Sequence, residues 1–306
     1  MRPLRALVIY IAVVFVGGAV LAPWLYWLAQ SFAHTFPKLA TSPFFSNLVT
    51  SPFHRFVNRA LLILALAGLW PLLRGLGAAS WRETGLVNPS GQWRKLAGGL
   101  LLGFVSLALV AAITLAAGGR ALNHPLSALR VAERMLSAAL TAAVVGGLEE
   151  ILFRGGIFGG LRRVFHWTFA LVLSSMIYAI VHFFARTSDP AAVRWTSGFG
   201  QLALMLGGFT DWQQIVPGFF NLTLAGFLLG LAYQRTGNLY FSIGLHAGWI
   251  FWLKMYGTLT TSAPGANPWL WGTEKMTDGW LALGVLASAL AIFTRLPQAR
   301  KETRLV

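Results

Sequence analysis

Two adjacent carboxylates, Glu149 and Glu150, lie in the middle of an otherwise apolar stretch, Thr141 to Leu161 (TAAVVGGLEEILFRGGIFGGL), with Arg154 four residues further on. An acidic side chain or an arginine at mid-span costs roughly 2.5 to 3.5 kcal/mol on insertion scales, so this stretch carries three expensive groups that packing does not call for. Two histidines are placed in the same way, His182 in LVLSSMIYAIVHFFA and His246 in LYFSIGLHAGWIF. Carboxylates and imidazoles are the groups that take and return protons near neutral pH, and the same groups ligate zinc. The chemistry such a set points to is proton transfer by a general base.

Helical geometry divides the work among them. Glu150 and Arg154 are four apart with the acid on the N-terminal side, the favourable order for an ion pair on one helix face. Glu149 is turned by about 100° from Glu150 and has no partner on its own helix, so it can face a cavity as a general base. Counted along the helices from the connection at Arg162 and Arg163, Glu149, His182 and His246 come within mutual reach once tilts and side-chain lengths are allowed for. One shared intramembrane site is expected. The plainer role for Glu149 is a carboxylate in a hydrogen-bond network between helices, and for Glu150 and Arg154 a lock on helix packing.

The elements that must hold this site follow from composition. Of 306 residues, 56% are hydrophobic and only 11% charged, where soluble domains carry roughly 25% charged residues, and the mean hydropathy is +0.65. A water-soluble globule is excluded. Apolar segments at about 6–29, 57–77, 96–118, 137–161, 166–186, 215–233, 239–257 and 279–294 are each near the length needed to cross roughly 30 Å of hydrocarbon as a helix. The expected fold class is all-α, a polytopic membrane protein of about eight transmembrane helices with a buried polar site. A ninth stretch, Ser197 to Phe209, is only 13 residues long and suits a re-entrant or interfacial helix. The run from Ala6 to Ala29 is too long for the core of a signal peptide and is read as an uncleaved first span. The organisation expected is N-terminal helices over 1–120, a core over 121–260 and a last helix with a basic tail over 261–306.

Charge and cysteine usage narrow the function further. The net charge is +15, but Arg and Lys fall between apolar segments and in the tail Arg295, Arg300, Lys301 and Arg304, as topology signals and contacts to anionic lipid do. Nucleic acid is therefore not an expected partner. With eight spans, 13 Lys and Arg fall on the side of the termini and 10 on the other, which favours cytoplasmic termini. There is no cysteine, which excludes disulfides, thiolate metal sites, iron–sulfur clusters and cysteine nucleophiles. His34, His54, His124 and His166 fall in loops or at membrane edges and read as structural. Gly155, Gly156, Gly159, Gly160, Gly226 and Gly230 repeat at the spacing that lets helices approach closely in lipid. Tryptophans at segment ends, such as Trp24, Trp93, Trp195 and Trp212, read as interfacial anchors.

Glu149-Glu150-Ile151-Leu152-Phe153-Arg154, then Tyr178 to His182, then His246-Ala247-Gly248-Trp249-Ile250 resemble the three motifs of the CPBP family of intramembrane proteases. That family includes type II CAAX prenyl proteases and bacterial Abi-type proteins, and its motifs read Glu-Glu-x-x-x-Arg, Phe-x-x-x-His and His-x-x-x-Asn or Asp. The similarity covers about 125–257. It implies an intramembrane endopeptidase of the bacterial inner membrane, cleaving a membrane-associated peptide or protein near a terminus. In that reading Glu149 deprotonates water, His182 steadies it, His246 binds the oxyanion, and Glu150 and Arg154 hold the first motif in register. Whether such enzymes are glutamic peptidases or metalloendopeptidases is left open by the resemblance. Glu149, His182 and His246 are the set that could hold zinc, and the reading preferred here keeps Glu149 as base. Two positions depart from the pattern. Tyr178 replaces Phe and adds a hydroxyl, and Ile250 replaces the Asn or Asp that would help polarise the scissile carbonyl; a neighbouring hydroxyl such as Ser242 or a backbone amide could stand in. The rival expectation is a non-catalytic immunity or binding protein of the same fold, with a transporter as a third.

Overall fold

The computed structural model describes residues 2–123, 126–184 and 190–295. His124, the end of the fifth apolar segment at Ala185 and Arg186, and the tail residues Arg300, Lys301 and Arg304 lie outside them. Among the described residues nine longer helices follow in order: α1 (Arg2–Thr35), α2 (Phe53–Gly75), α3 (Trp93–Ala116), α4 (Ala128–Glu150), α5 (Trp167–Val181), α6 (Ser197–Met205), α7 (Trp212–Thr236), α8 (Tyr240–Leu259) and α9 (Trp280–Arg295). Each of the eight expected segments contains a helix. Leu4–Thr35, Phe53–Gly75, Trp93–Ala116, Ala128–Leu161 and Trp212–Thr236 are long and apolar enough to cross a membrane, while α5 and α9 are shorter apolar helices. The chain is an all-α polytopic membrane protein, and eight crossings exceed the five that length and composition support among the described residues. The stretch after Thr196 is the nine-residue α6 followed by a 3-10 turn at Leu206–Thr210, too short to cross. Large apolar side chains stay exposed along the helices, such as Leu28, Leu101, Leu136 and Val144. In water these would be a liability, but in lipid they are the solvent-facing surface.

The helices divide into two compact units. One comprises Met1–Gly77 with Phe183–Asp211. In it α1 and α2 run side by side, with Tyr10 donating to the Ala65 carbonyl at 2.9 Å. Gly198 of α6 lies so close to α1 that a Cβ there would meet the Ala19 carbonyl oxygen at 1.9 Å. Phe53, Phe56, Val57 and Ala60 of α2 pack with Ala22 and Ala29 of α1 and with Met205 into one apolar core.

The other unit, Ala78–His182 with Trp212–Val306, holds all the residues singled out for chemistry. Its core gathers Leu107 and Val110 of α3, Leu228 and Leu229 of α7, Leu245 and Trp249 of α8, and Leu286 of α9. A two-stranded antiparallel ribbon, β1 (Arg120–Leu122) with β2 (Thr260–Ser262), ties the end of α3 to the end of α8. Arg120 clamps it, donating to Thr260 Oγ1 at 2.7 Å and to the Thr260 carbonyl at 2.8 Å. On the connection before α3, Glu83 accepts from the Ala79 N–H at 3.1 Å and from Arg163 at 3.2 Å, and these bonds hold its carboxyl below the ordinary carboxylate range.

Two features of this unit position the site. The fourth apolar segment is not one regular α-helix. After Glu150 it widens into a π-helix, Ile151–Phe158, then closes with an α-helical turn, Gly159–Leu161. Gly159 N–H bonds the Arg154 carbonyl five residues back. π segments are rare and concentrate at functional sites, because the extra residue per turn re-aims the side chains that follow. The second feature is the contact of α3 with α8. A Cβ on Gly99 or Gly103 would lie 2.1 Å from the carbonyl oxygen of Phe241 or Leu245, and one on Gly244 would lie 2.0 Å from that of Leu96. Gly248 is also close, with Phe104 N at 2.6 Å. Each helix thus presents two glycines four residues apart, so the backbones themselves are in contact. Of the glycines noted in the sequence, Gly226 against Ser175 Cα at 3.0 Å and Gly155 against the Thr84 carbonyl at 2.9 Å make looser approaches, while Gly230 meets the Leu171 side chain at 2.4 Å.

Because the neighbour at Gly103 is backbone and cannot rotate away, Gly103→Ala is expected to force α3 from α8, with an overpacking cost of at least about 1–3 kcal/mol. Gly284, whose Cβ position is open, serves as the control, and Gly284→Ala should be neutral or slightly stabilising. Melting temperatures in detergent check this. Equal values for the two variants would show that the glycine contact does not hold the helices together.

Candidate active site

Four elements of the second unit converge. Glu149 and Glu150 end α4, Arg154 lies in the π segment, Tyr178 and His182 close α5, and His246 lies one and a half turns into α8. A carbonyl from α7 completes the set. Glu150 is fully buried. Its Oε1 accepts from Arg154 Nη1 at 2.8 Å and from His246 Nδ1 at 2.9 Å. Arg154, 2% exposed, also donates to the Gly226 carbonyl at 3.2 Å, which joins α7 to the site. Its guanidinium lies 4.5 Å from the centre of the Tyr178 ring, a cation–π contact that also fixes the ring. Phe153 meets the same ring edge to face at 5.0 Å.

The two histidines are oriented by what their Nδ1 atoms touch. His182 Nδ1 lies 2.7 Å from the Tyr178 carbonyl, which can only accept, so Nδ1 carries the hydrogen. His246 Nδ1 lies 2.9 Å from Glu150 Oε1, which already accepts from Arg154, and carries its hydrogen for the same reason. In neutral rings both Nε2 atoms are then lone pairs. They point to one place: His182 Nε2 is 3.9 Å and His246 Nε2 3.8 Å from Glu149 Oε2. That oxygen is itself buried and has no hydrogen-bond partner, although the Glu149 side chain keeps 28% exposure. Both Nε2 atoms are too far from Oε2 for a direct hydrogen bond, a separation that a bridging water can span.

The same donor set could suggest zinc, since each imidazole has the outer partner that a metal-ligating histidine usually has. The spacing does not fit. Zinc bonds of about 2.0–2.1 Å put tetrahedral ligands roughly 3.3 Å apart, closer than the separations of 3.8 and 3.9 Å. Among the described residues no group of three His and carboxylate side chains has the geometry of a metal site.

Of the positions flagged in the sequence, Glu149, Glu150, Arg154, His182 and His246 are brought together. Ile250, one turn beyond His246, is 8% exposed and offers no polar atom. Ser242 is already committed, donating to the Leu229 carbonyl at 3.0 Å from a fully buried position, so it cannot substitute for the missing amide. Among the edge histidines, His166 bonds Thr168 Oγ1 at 2.7 Å at the start of α5. Two participants were not visible beforehand. The Gly226 carbonyl is backbone and leaves no mark in residue type. The Tyr178 hydroxyl lies 3.2 Å from His246 Nε2, and its only signal was the replacement of Phe in the second motif.

If Glu150 and Arg154 are partners of this kind, Arg154→Ala strands a buried carboxylate at a cost of about 3–5 kcal/mol, and folded yield should fall sharply. Glu150→Gln combined with Arg154→Met removes both charges and should recover much of that yield. Size-exclusion profiles of the purified proteins make the comparison, and a double variant no better folded than the single one would separate the two side chains energetically.

Residues 131–252 match the family model described as type II CAAX prenyl endopeptidase Rce1-like. No curated protein and no solved structure matches the chain. The matched residues carry all three motifs and every side chain of the converging set. The part of the chain that builds this site is therefore similar to the type II CAAX prenyl endopeptidase Rce1-like family.

Proposed function

We propose that the protein is an intramembrane endopeptidase in which Glu149 activates water against a peptide of a membrane-associated protein, near one of its termini. The observation that carries this is the unpartnered Oε2 of Glu149, faced by the Nε2 lone pairs of His182 and His246. A carboxylate in that setting has an unmet need for a hydrogen, and its residual exposure leaves a way in for substrate. A water in the gap donates one hydrogen to Glu149 and the other to His182. Glu149 takes its proton as the oxygen adds to the scissile carbonyl, then passes it to the departing amine. His182, held by the Tyr178 carbonyl, aims the water. His246, held by Glu150, forms the wall beside the carbonyl oxygen. The match to a family of CAAX-type proteases supports the reaction class. The substrate, whether prenylated or not, is a peptide or protein in the membrane; anionic lipids would meet the basic connections, nucleic acid is no partner, and a bacterial inner membrane is the proposed location.

A second reading, a binding or immunity protein that has lost catalysis, is favoured by one observation, the apolar Ile250 where a donor is expected. The two part on Glu149→Gln. In a peptidase the isosteric amide cannot take the proton, so turnover should fall by about 10² to 10⁴ with the melting temperature nearly unchanged. Terminal proteomics of membranes from cells carrying wild type or Glu149→Gln should reveal termini that only wild type generates, and dialysis of the purified enzyme against a chelator should leave its peptidase rate intact. Retention of more than about a tenth of the rate in Glu149→Gln would remove the base, identical termini in both cells would leave the binding reading, and loss of rate on dialysis would make the site a metal centre.

A further inference from the structure

The peptidase reading needs a donor for the charge that develops on the carbonyl oxygen, and the residues assigned so far do not provide one. Glu149 and Glu150 are acceptors. The single N–H of a neutral His246 is spent on Glu150 at 2.9 Å, and that of His182 on the Tyr178 carbonyl at 2.7 Å. Arg154 directs one N–H to Glu150 and another to the Gly226 carbonyl. Ile250 has nothing to donate and Ser242 is bonded elsewhere. The Tyr178 hydroxyl places a polar hydrogen beside His246, 3.2 Å from Nε2.

We infer that the Tyr178 hydroxyl is the hydrogen-bond donor to the oxyanion, supplying from α5 what an amide at position 250 would supply from α8; the inference rests on the peptidase reading. Tyr178 is 3% exposed, and its ring is held between Arg154, at 4.5 Å, and Phe153, at 5.0 Å, so the hydroxyl direction is set without its own hydrogen bond. The hydroxyl and Glu149 Oε2 are neighbours of the same atom, His246 Nε2, at 3.2 and 3.8 Å. A carbonyl carbon attacked by water at Glu149 therefore has its oxygen within reach of Tyr178. As the water oxygen bonds to carbon, its proton goes to Glu149 and the carbonyl π pair moves onto oxygen. The Tyr178 O–H swings about its C–O bond from Nε2 to that oxygen and keeps its proton throughout. When the tetrahedral species collapses, the C–N bond breaks, Glu149 protonates the nitrogen, and the hydroxyl returns to His246. The positive face contact with Arg154 draws electron density from the ring and strengthens the O–H as a donor.

Tyr178→Phe deletes only the oxygen and keeps the packed ring. Rates are measured in detergent micelles on the member of an internally quenched peptide library that wild type cleaves fastest, alongside melting temperatures. The expected result is a fall in kcat of about 10² to 10³ with KM unchanged, because the donor acts on charge that exists only in the transition state, and no loss of melting temperature. Ile250→Asn placed on Tyr178→Phe should return much of the rate, which an amide can do as a second oxyanion donor but not as a support for His246. An unchanged rate in Tyr178→Phe overturns the inference and leaves the peptidase standing. So does a melting temperature that falls with the rate and no rescue by Ile250→Asn, which would make the hydroxyl a clamp on His246. A wild type that cleaves no peptide, in cells whose termini do not depend on Glu149, removes the peptidase and this inference together.

Discussion

A single oxygen, Oε1 of Glu150, is where the second unit is tied together. It accepts from Arg154 on its own segment and from His246 on α8, and Arg154 reaches on to the backbone of α7. A carboxylate with no exposure is tolerable only if its charge is met at close range, and here one full cation and one imidazole N–H meet it. The arrangement does more than compensate a cost. By fixing the hydrogen of His246 on Nδ1, it decides that Nε2 faces the open side of the site as an acceptor, and so decides what every other group there can do.

The site that results is rich in electron pairs and poor in hydrogens. One of the two carboxylates holds the guanidinium, and the two imidazoles place their Nε2 atoms near the carboxylate that lacks it. The low-dielectric surroundings amplify each of these interactions, since the same charges in water would be screened.

Much of this was readable from residue types. Charges and histidines inside apolar stretches are loud signals, because lipid penalises them individually, so Glu149, Glu150, Arg154, His182 and His246 stood out before any geometry was known. The helical segments were equally plain, since apolar runs at membrane length have few other readings. What stayed hidden is what residue type does not encode. The π segment is a change in backbone hydrogen-bond register, and Ile151–Phe158 reads like any apolar helix with glycines. The glycine repeats after Arg154 drew attention, yet the tightest contact in the second unit is between Gly99 and Gly103 on α3 and Gly244 and Gly248 on α8. Choosing among many glycines requires knowing which helices are neighbours. The grouping of Phe183–Asp211 with the first 77 residues is likewise a long-range choice that no local pattern states.

The contact of α3 with α8 also bears on how such a protein can change over evolutionary time. Recognisable family sequence begins at residue 131, after α3 has ended, yet α3 is the helix against which the bearer of His246 is seated. Because the seat is backbone against backbone, it depends on the absence of side chains at four positions and is indifferent to what the rest of α3 carries, provided that it remains apolar. Drift can therefore erase the ancestry of α3 without moving His246 by an ångström. The stretch that matches the family, 131–252, is thus shorter than the piece of protein that seats His246.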